Sequence, residues 1–416
     1  MSRIILSLAF SLFCIGNIIA RPVFQTDYAL EKNASVQPDS AVVKKSNARE
    51  QKDIMDVLAQ LRKKKAENVA DKNKDTTRKV LYSVVPAVGY TLSTGLTGLI
   101  TTNAAFYLSN PATTNISSVS SSFIYTQYKQ ITVPLLANIW TKNNSYDIVI
   151  DWRYFKYPQD TYGLGGGSSL EDADNIDYSH IRLHQSVLKS VGNSFYVGLG
   201  YFLDYRWHIK QAGSNDDVRN YGLTKNSVAS GPLITLLYDN RKNSINPLEG
   251  TYANVQYRPN MTTLGSNSNW QSLVFDVRKY INFPSGSQNT LAFWNYTWLT
   301  LNGKPPYLDL PSTSWDPSNN TGRGYIQGRY RSLNMLYFES EYRFGITQNG
   351  LLGGVIFANA QSFSNWPTAK FTMVAPAAGL GIRIKVNKLS RTNIAIDYGF
   401  GVKGSRGLFV NLGEVF

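Results

Sequence analysis

The last stretch of the chain is Gly407-Leu408-Phe409-Val410-Asn411-Leu412-Gly413-Glu414-Val415-Phe416. Successive residues of a β-strand point to opposite faces of the sheet, so residues two apart share a face. The apolar residues that share one face of this stretch are Leu408, Val410, Leu412 and Phe416. Glu414 interrupts that face near its end, and the alternation predicts a strand over residues 407–416.

The same period of two residues extends over the whole region from Val80 to Phe416. Its runs are about 9 to 14 residues long, which is the length that a tilted strand needs to cross an outer membrane. We therefore predict an all-β fold, a 16-stranded antiparallel transmembrane β-barrel. The predicted strands are 81–90, 97–108, 116–128, 131–140, 146–156, 178–189, 194–209, 226–239, 250–259, 268–281, 289–301, 331–344, 351–361, 373–386, 392–402 and 407–416.

The connections between the predicted strands differ in length in a regular way. Barrels of this kind alternate short periplasmic turns with longer extracellular loops. Six connections after even-numbered strands are predicted to be short, at 109–115, 141–145, 190–193, 282–288, 345–350 and 387–391, and the long ones follow odd-numbered strands at 157–177, 210–225 and 302–330. The first two odd-numbered connections are short, so the alternation is incomplete. No stretch within 80–416 approaches about 18 consecutive apolar residues, which excludes a helical membrane protein.

The composition agrees with a strand surface that meets lipid on one side and water on the other. The chain has 26 tyrosines and 13% aromatic residues, although its mean hydropathy is negative. Aromatic side chains are favoured at such interfaces. The net charge of +14 favours contact with outer-membrane lipids and lipopolysaccharide over nucleic acid, because an exported protein rarely meets nucleic acid.

Residues 1–20 have the pattern of a secretory signal peptide: Arg3 precedes an apolar run that ends before Ala20. The single cysteine of the chain, Cys14, lies within this run. The mature chain is therefore predicted to have neither a disulfide nor a cysteine-ligated metal.

Residues 21–79 form a polar segment that we predict to lie in the periplasm. Ile54, Leu58 and Leu61 fall at helical spacing and predict a short amphipathic helix within about residues 48–70. A partly ordered spacer is an equally good interpretation of the same pattern. The segment is too short and too irregular for a folded receptor domain.

A basic, glycine-rich stretch follows the eleventh predicted strand: Thr321-Gly322-Arg323-Gly324-Tyr325-Ile326-Gln327-Gly328-Arg329-Tyr330-Arg331. Glycine lets the backbone approach another surface closely, and arginine offers a rigid fork of donors. The residues alone leave two interpretations open, a segment held against the rest of the protein and a solvated basic loop.

Three motifs resemble the BamA/TamA-type bacterial surface antigen superfamily of outer-membrane insertase and translocase barrels. Arg323-Gly324-Tyr325 matches the (Val/Ile)-Arg-Gly-(Phe/Tyr) motif of the sixth loop, with Gly322 in place of the β-branched residue. Tyr238-Asp239-Asn240-Arg241-Lys242-Asn243, followed by Pro247 and Gly250, is similar to the Asp-x-Arg-x-Asn turn after the eighth strand. Glu341 matches the glutamate of the twelfth strand that faces the loop.

The resemblance covers residues 80–416, and the stretch 407–416 also resembles the terminal β-signal of outer-membrane barrels. Family members usually carry periplasmic polypeptide-transport-associated (POTRA) domains ahead of the barrel. Residues 21–79 leave no room for one, so the chain resembles the minority that are barrel only.

The resemblance implies that the sixth loop folds into the lumen, where an arginine needs a carboxylate to offset its burial. Glu341 is the expected partner of Arg323. In the family an aspartate of the thirteenth strand also engages this arginine. Asn359 occupies that place in Phe357-Ala358-Asn359-Ala360-Gln361, where it is expected to accept a hydrogen bond but supplies no charge.

The expected function is outer-membrane protein assembly, insertion or translocation without enzymatic chemistry, with other outer-membrane or periplasmic assembly proteins as partners. A weak seam is predicted between the first strand, which contains Pro86, and the last, which contains Gly413 and Phe416. The alternative is a passive barrel that serves as a channel, surface antigen or scaffold subunit. No catalytic, cofactor or metal site is predicted. His180 and His184 share a strand face but are about 13 Å apart, too far to share a metal.

Overall fold

The computed structural model describes residues 51–54, 56–57, 80–388 and 391–416. The prediction of a signal peptide over 1–20 therefore lies wholly outside the described residues, as do Leu58 and Leu61 of the predicted helix and most of the polar segment 21–79. In the segment before the barrel, Ile54, Asp56 and Val57 are helical.

Sixteen antiparallel strands close into a barrel, which confirms the predicted fold class and strand number. They are β1 Leu81–Thr91, β2 Gly95–Phe106, β3 Ser117–Thr126, β4 Ile131–Trp140, β5 Tyr146–Lys156, β6 Asp174–Gly192, β7 Phe195–Gln211, β8 Ser227–Asp239, β9 Gly250–Asn260, β10 Trp270–Asn282, β11 Thr290–Gly303, β12 Asn334–Gly345, β13 Leu352–Asn365, β14 Ala375–Asn387, β15 Thr392–Gly401 and β16 Arg406–Leu412.

Little else in the described part of the chain is regular. Two short strands, Gln159–Thr161 and Lys370–Phe371, extend the sheet at β6 and β13. Within 80–388 and 391–416, one α-helix, α1, spans Asp216–Tyr221, and short 3-10 helices lie at Lys142–Asn144, Thr262–Leu264 and Tyr307–Asp309. Among the described residues, no helix is both long and apolar enough to cross a membrane.

The two ends of the barrel differ as the sequence predicts. The connections after odd-numbered strands include the three long ones, at 157–173, 212–226 and 304–333, and we call this side the long-loop end. The connections after even-numbered strands are short, and we call that side the short-turn end. Alternate residues of each strand point away from the lumen, and many of these outward-facing side chains are large and apolar, as on the lipid-facing side of an outer-membrane barrel.

The last strand is shorter than predicted. Pairing of β16 with β15 ends at Leu412, and Gly413 then adopts a φ of +101°, a left-handed conformation that glycine accepts without strain. The chain turns into the barrel, so that Val415 and Phe416 are buried. The prediction of a strand over 407–416, with Phe416 on the same face as Leu408, Val410 and Leu412, is therefore wrong after Leu412, because the alternation continues beyond the residue that ends the strand.

Candidate functional site

The connection between β11 and β12, residues 304–333, folds into the barrel, and we call it the inserted loop. Most of its residues from 307 to 332 are buried. Ser312 forms a β-bridge with Arg331, and the backbone N–H of Gly328 donates to the carbonyl of Thr313 at 3.0 Å. The loop is thus a folded hairpin with its own hydrogen bonds, and the interpretation as a solvated basic loop does not hold.

The turn at the tip of the inserted loop depends on glycine. Gly322 and Gly324 have φ values of +80° and +102°, which only glycine adopts without strain. The backbone of this turn also lies against β15. A Cβ built on Gly399 would lie 2.7 Å from the nitrogen of Gly324, so the loop can approach the wall only where the strand has no side chain.

Arg323 lies between these two glycines, and its guanidinium is surrounded by carboxylates. Its Nη1 donates to Asp397 at 2.9 Å, and its Nη2 contacts both Glu339 and Glu341. Its Cζ lies 3.7 Å from the centre of the Phe357 ring, which faces the cation. The arginine side chain is 2% exposed and both glutamates are 0% exposed, so these are ion pairs removed from water.

The structure brings Arg323 and Glu341 together, and it adds two carboxylates that the sequence reasoning did not name. Glu339 shares the inward face of β12 with Glu341, two residues away. Asp397 is on β15. Asn359 contacts the loop differently from the expectation, because its amide nitrogen donates to the carbonyl of Arg323 at 2.9 Å. The expected aspartate charge of β13 is absent here, and β15 supplies one instead.

Tyr325 is held in a slot on the barrel wall. Its hydroxyl donates to the carbonyl of Pro376 at 2.6 Å and accepts the N–H of Val402 at 3.1 Å. A Cβ built on Gly401 would lie 2.5 Å from the Tyr325 ring. The inward-facing glycines of β15 therefore form the seat of the Arg-Gly-Tyr motif. The sequence signal was present as Asp397-Tyr398-Gly399-Phe400-Gly401, with a charge and two glycines at every second position.

The ion pairs extend from the inserted loop towards the end of the chain. Glu341 also contacts Arg343, on the same strand. Arg383 of β14 pairs with Asp397 at 2.5 Å and, through Nε, with Glu414 at 2.7 Å. Glu414, which interrupts an apolar face in the sequence, thus lies in the lumen as part of a charged network. We call this set the lumenal network; it consists of Arg323, Glu339, Glu341, Arg343, Arg383, Asp397 and Glu414.

Residues 413–416, the tail, connect the last strand to the inserted loop. The ring of Phe416 stacks on Trp294 with centroids 5.1 Å apart, and its carbonyl accepts a hydrogen bond from Arg343 at 2.6 Å. The carbonyl of Val415 accepts the side-chain amide of Asn320 at 2.7 Å. Phe416, predicted at the seam, lies instead within the lumen against β11 and β12.

The other two arginines of the glycine-rich stretch are also buried, but within the described part of the chain neither has a carboxylate partner at salt-bridge distance. Arg329 donates to the hydroxyl and the carbonyl of Ser168, at 2.8 and 2.6 Å. Arg331 donates to the carbonyl of Tyr307 at 3.2 Å, and its Cζ lies 5.1 Å from the Tyr307 ring. The contacts of Arg329 join the inserted loop to the neighbouring loop 157–173, and those of Arg331 lie within the inserted loop itself.

The seam between β1 and β16 is the weakest join in the barrel. Among the described residues the two strands are in register at one pair, Tyr90 and Val410. By contrast, β1 pairs with β2 along its whole length. Pro86 lies in the part of β1 that has no partner across the seam, and Gly413 is where β16 leaves the sheet.

A second charged cluster, which the sequence reasoning missed, lies on the inner wall. His180 and His184 of β6 each place Nε2 against Asp204 of β7, at 2.9 and 2.8 Å. Arg258 of β9 donates to the same carboxylate at 2.9 Å. The two histidines thus converge on a neighbouring strand's carboxylate. Among the described residues, no group of three or more His, Cys, Asp or Glu side chains is arranged to hold a metal ion.

A closed barrel of sixteen antiparallel strands, with apolar residues outside and a folded loop within, defines an outer-membrane-type β-barrel. No family model and no curated protein matches the chain.

Solved structures do match. BamA from Haemophilus ducreyi lacking POTRA domains 1–3 has a TM-score of 0.56 and 14% identity, with 81% of this chain and 70% of that chain covered. CdiB from Acinetobacter baumannii has a TM-score of 0.53 and 11% identity, covering 81% and 60% of the two chains. CdiB from Escherichia coli has a TM-score of 0.52 and 11% identity, covering 81% and 67%. The chain has the barrel fold of these proteins, as the resemblance implied.

Proposed function

We propose that this protein is an outer-membrane barrel that assists the assembly, insertion or translocation of other outer-membrane proteins, without enzymatic chemistry. The observation that carries the proposal is the lumenal Arg323, held by carboxylates of β12 and β15 in a barrel whose terminal strands are barely joined. The resemblance of the Arg-Gly-Tyr motif and the fold shared with BamA and CdiB support it.

The proposed orientation places the short-turn end in the periplasm and the long-loop end at the cell surface. The difference in connection length supports it, because outer-membrane barrels carry their short turns in the periplasm. The chain before β1 then starts in the periplasm. We propose lipids and lipopolysaccharide as contacts of the outer face, and other outer-membrane or periplasmic assembly proteins as partners.

In the proposed mechanism a client strand meets the barrel at the seam. The part of β1 from Leu81 to Gly89 has no paired neighbour on the β16 side among the described residues. An unpaired strand edge presents N–H and C=O groups that can pair with an incoming strand. Because the tail leaves the sheet at Gly413, the unpaired edge lies towards the short-turn end, from which a periplasmic client would arrive.

The second candidate is a passive barrel that acts as a channel, surface antigen or scaffold subunit. The inserted loop argues against an open channel, since it occupies the lumen and is held by buried ion pairs and by loop 157–173. A surface antigen or scaffold role needs neither a conducting lumen nor an opening seam.

Depletion of the protein followed by quantitative outer-membrane proteomics, with planar-bilayer conductance of the purified protein, separates the candidates. The assembly proposal expects a general fall in other barrels and no steady conductance. A defect confined to one solute, together with stable open channels, would support the passive barrel and contradict the proposal. A mild-detergent pull-down from native membranes tests for assembly partners.

A further inference from the structure

Lys52 and Asp53, in the segment that precedes the barrel, are docked on its short-turn end. The backbone N–H of Lys52 donates to the carbonyl of Asn349, in the turn between β12 and β13, at 2.9 Å. Oδ2 of Asp53 accepts the backbone N–H of Lys388, in the turn between β14 and β15, at 3.2 Å. Asp53 is only 7% exposed, which shows that the segment packs against these two turns.

The docked segment starts a helical turn with two reciprocal hydrogen bonds. The N–H of Asp53 donates to the carboxylate of Asp56, and the N–H of Asp56 donates to the carboxylate of Asp53, both at 3.0 Å. The N–H of Val57 donates to the carbonyl of Asp53 at 3.2 Å. This is the geometry of a capping box, with aspartate in place of the usual glutamate at the third position. It fixes both carboxylates in direction, so Asp53 can reach the rim.

The rim facing these carboxylates is basic. Nζ of Lys388 lies 3.0 Å from the carboxylate of Asp56. Lys385, near the end of β14, and Arg391, directly before β15, are two further basic residues of this rim. Partial burial tends to raise the pKa of Asp56, but the N–H of Asp53 and the ammonium of Lys388 together hold this pKa below its usual value. Asp56 is therefore ionised at neutral pH, and the contact joins opposite charges.

The docking site lies close to the tail. The side-chain amide of Asn246 donates to the carbonyl of Arg391 at 3.3 Å and to Glu414 at 3.4 Å. Glu414 is within the tail, one residue beyond Gly413, where β16 leaves the sheet. The side chain of Asn246 thus links the β14–β15 turn, which receives the docked segment, with the tail, which leaves the sheet beside the seam.

We propose that residues 51–54, 56 and 57 form an acidic clasp, a built-in contact that docks the chain preceding the barrel onto the basic rim between the β12–β13 and β14–β15 turns. While closed, the clasp covers this rim next to the tail; once released, it exposes the rim. The occupant is this chain's own segment. The inference does not depend on the assembly function, because it concerns only how the chain before the barrel is held.

Hydrogen–deuterium exchange of the full chain in detergent tests the clasp. In the wild-type protein we expect the amides of Asp53, Asp56 and Val57 to be protected. Lys388→Asp should speed their exchange about tenfold, because it replaces attraction with repulsion at the carboxylate of Asp56. The exchanged pair Asp56→Lys with Lys388→Asp should restore much of the protection of the amides of residues 56 and 57, whose acceptors belong to Asp53, but not that of the Asp53 amide, which loses its acceptor on Asp56. Lys242→Ala is the matched control, since it removes an exposed ion pair with Glu249 elsewhere on the short-turn end.

Each outcome decides for or against the clasp. Heat-modified gel mobility, which reports barrel folding, should be unchanged in every variant, so a loss of protection would not reflect unfolding. Unprotected amides at 53–57 in the wild type would overturn the proposal. So would equal exchange in Lys388→Asp and Lys242→Ala, because the contact would then not depend on the charge at the rim. Neither result bears on whether the barrel assembles other proteins.

Discussion

The guanidinium of Arg323 and the carboxylate of Asp397 lie 2.9 Å apart, with side chains only 2% and 1% exposed. One belongs to the inserted loop and the other to β15, three strands along from the strand that the loop precedes. Arg323 also pairs with Glu339 and Glu341 of β12, so its guanidinium is surrounded by three carboxylates. The loop is therefore anchored to two separate strands of the wall, β12 and β15. Because β15 pairs with β16, the position of the loop is also fixed relative to the last strand.

Replacing Arg323 by Ala should loosen the inserted loop and destabilise the barrel. The change leaves buried carboxylates without a counter-charge, and breaking a buried ion pair in this way costs about 3–5 kcal/mol. We expect the folded form to lose its heat resistance on semi-native gels at a lower temperature, and residues 304–333 to become accessible to protease. Arg219→Ala, which removes an exposed ion pair on α1, is the control. Unchanged mobility and protease protection in Arg323→Ala would contradict the lumenal anchor.

Asn359→Asp tests whether β13 or β15 supplies the charge to the anchor. The amide of Asn359 donates to a carbonyl, and the strand register places this residue opposite Glu339. A carboxylate here would lose the donor and repel its neighbour, so we expect Asn359→Asp to be less stable than Asn359→Ala. The loss of a buried hydrogen bond alone costs about 1–3 kcal/mol. A barrel that melts above the wild type in Asn359→Asp would mean that β13 can still take the aspartate role.

Gly399→Ala should displace the tip of the inserted loop. The new Cβ would lie 2.7 Å from the nitrogen of Gly324, where backbone faces backbone and neither can move aside. Overpacking of this kind costs about 1–3 kcal/mol. We expect a lower unfolding midpoint in urea. Gly98→Ala is the control, because its Cβ would meet nothing within 4 Å. Equal midpoints for the two variants would show that the loop does not lie against β15 as described.

The alternation of residues predicts the barrel well, because a strand that separates lipid from a lumen carries a strict period of two. Strands β4 and β5 begin and end at the predicted residues, 131–140 and 146–156. The prediction fails at the last strand, where Phe416 keeps the period of two but packs, together with Val415, in the aromatic interior around Trp294. An apolar residue can face either lipid or a packed lumen, so the alternation alone does not tell which of the two Phe416 faces. The positive φ of Gly413, which turns the chain into the barrel, decides it.

The site was less predictable than the fold. The pairing of Arg323 with Glu341 follows from the resemblance, but Asp397 is 74 residues away in sequence. Which strand faces the loop depends on how the barrel closes, and no local pattern encodes that. The same holds for His180 and His184, whose common partner Asp204 lies on the next strand. The interleaved glycines of β15 were the one local signal, since a strand without side chains has room for a backbone.

The central claim is that the seam between β1 and β16 opens when the protein acts on a client. Cysteines at Tyr90 and Val410, the residues paired across the seam, can lock it, and the only native cysteine is Cys14. The measurement is the rate at which an unfolded outer-membrane barrel inserts into liposomes that contain the Tyr90→Cys/Val410→Cys protein. The rate is measured first with the disulfide of this protein oxidised and again after the disulfide is reduced. We predict that oxidation abolishes the acceleration of insertion and that reduction restores it. Equal acceleration by the oxidised and reduced protein would contradict the claim.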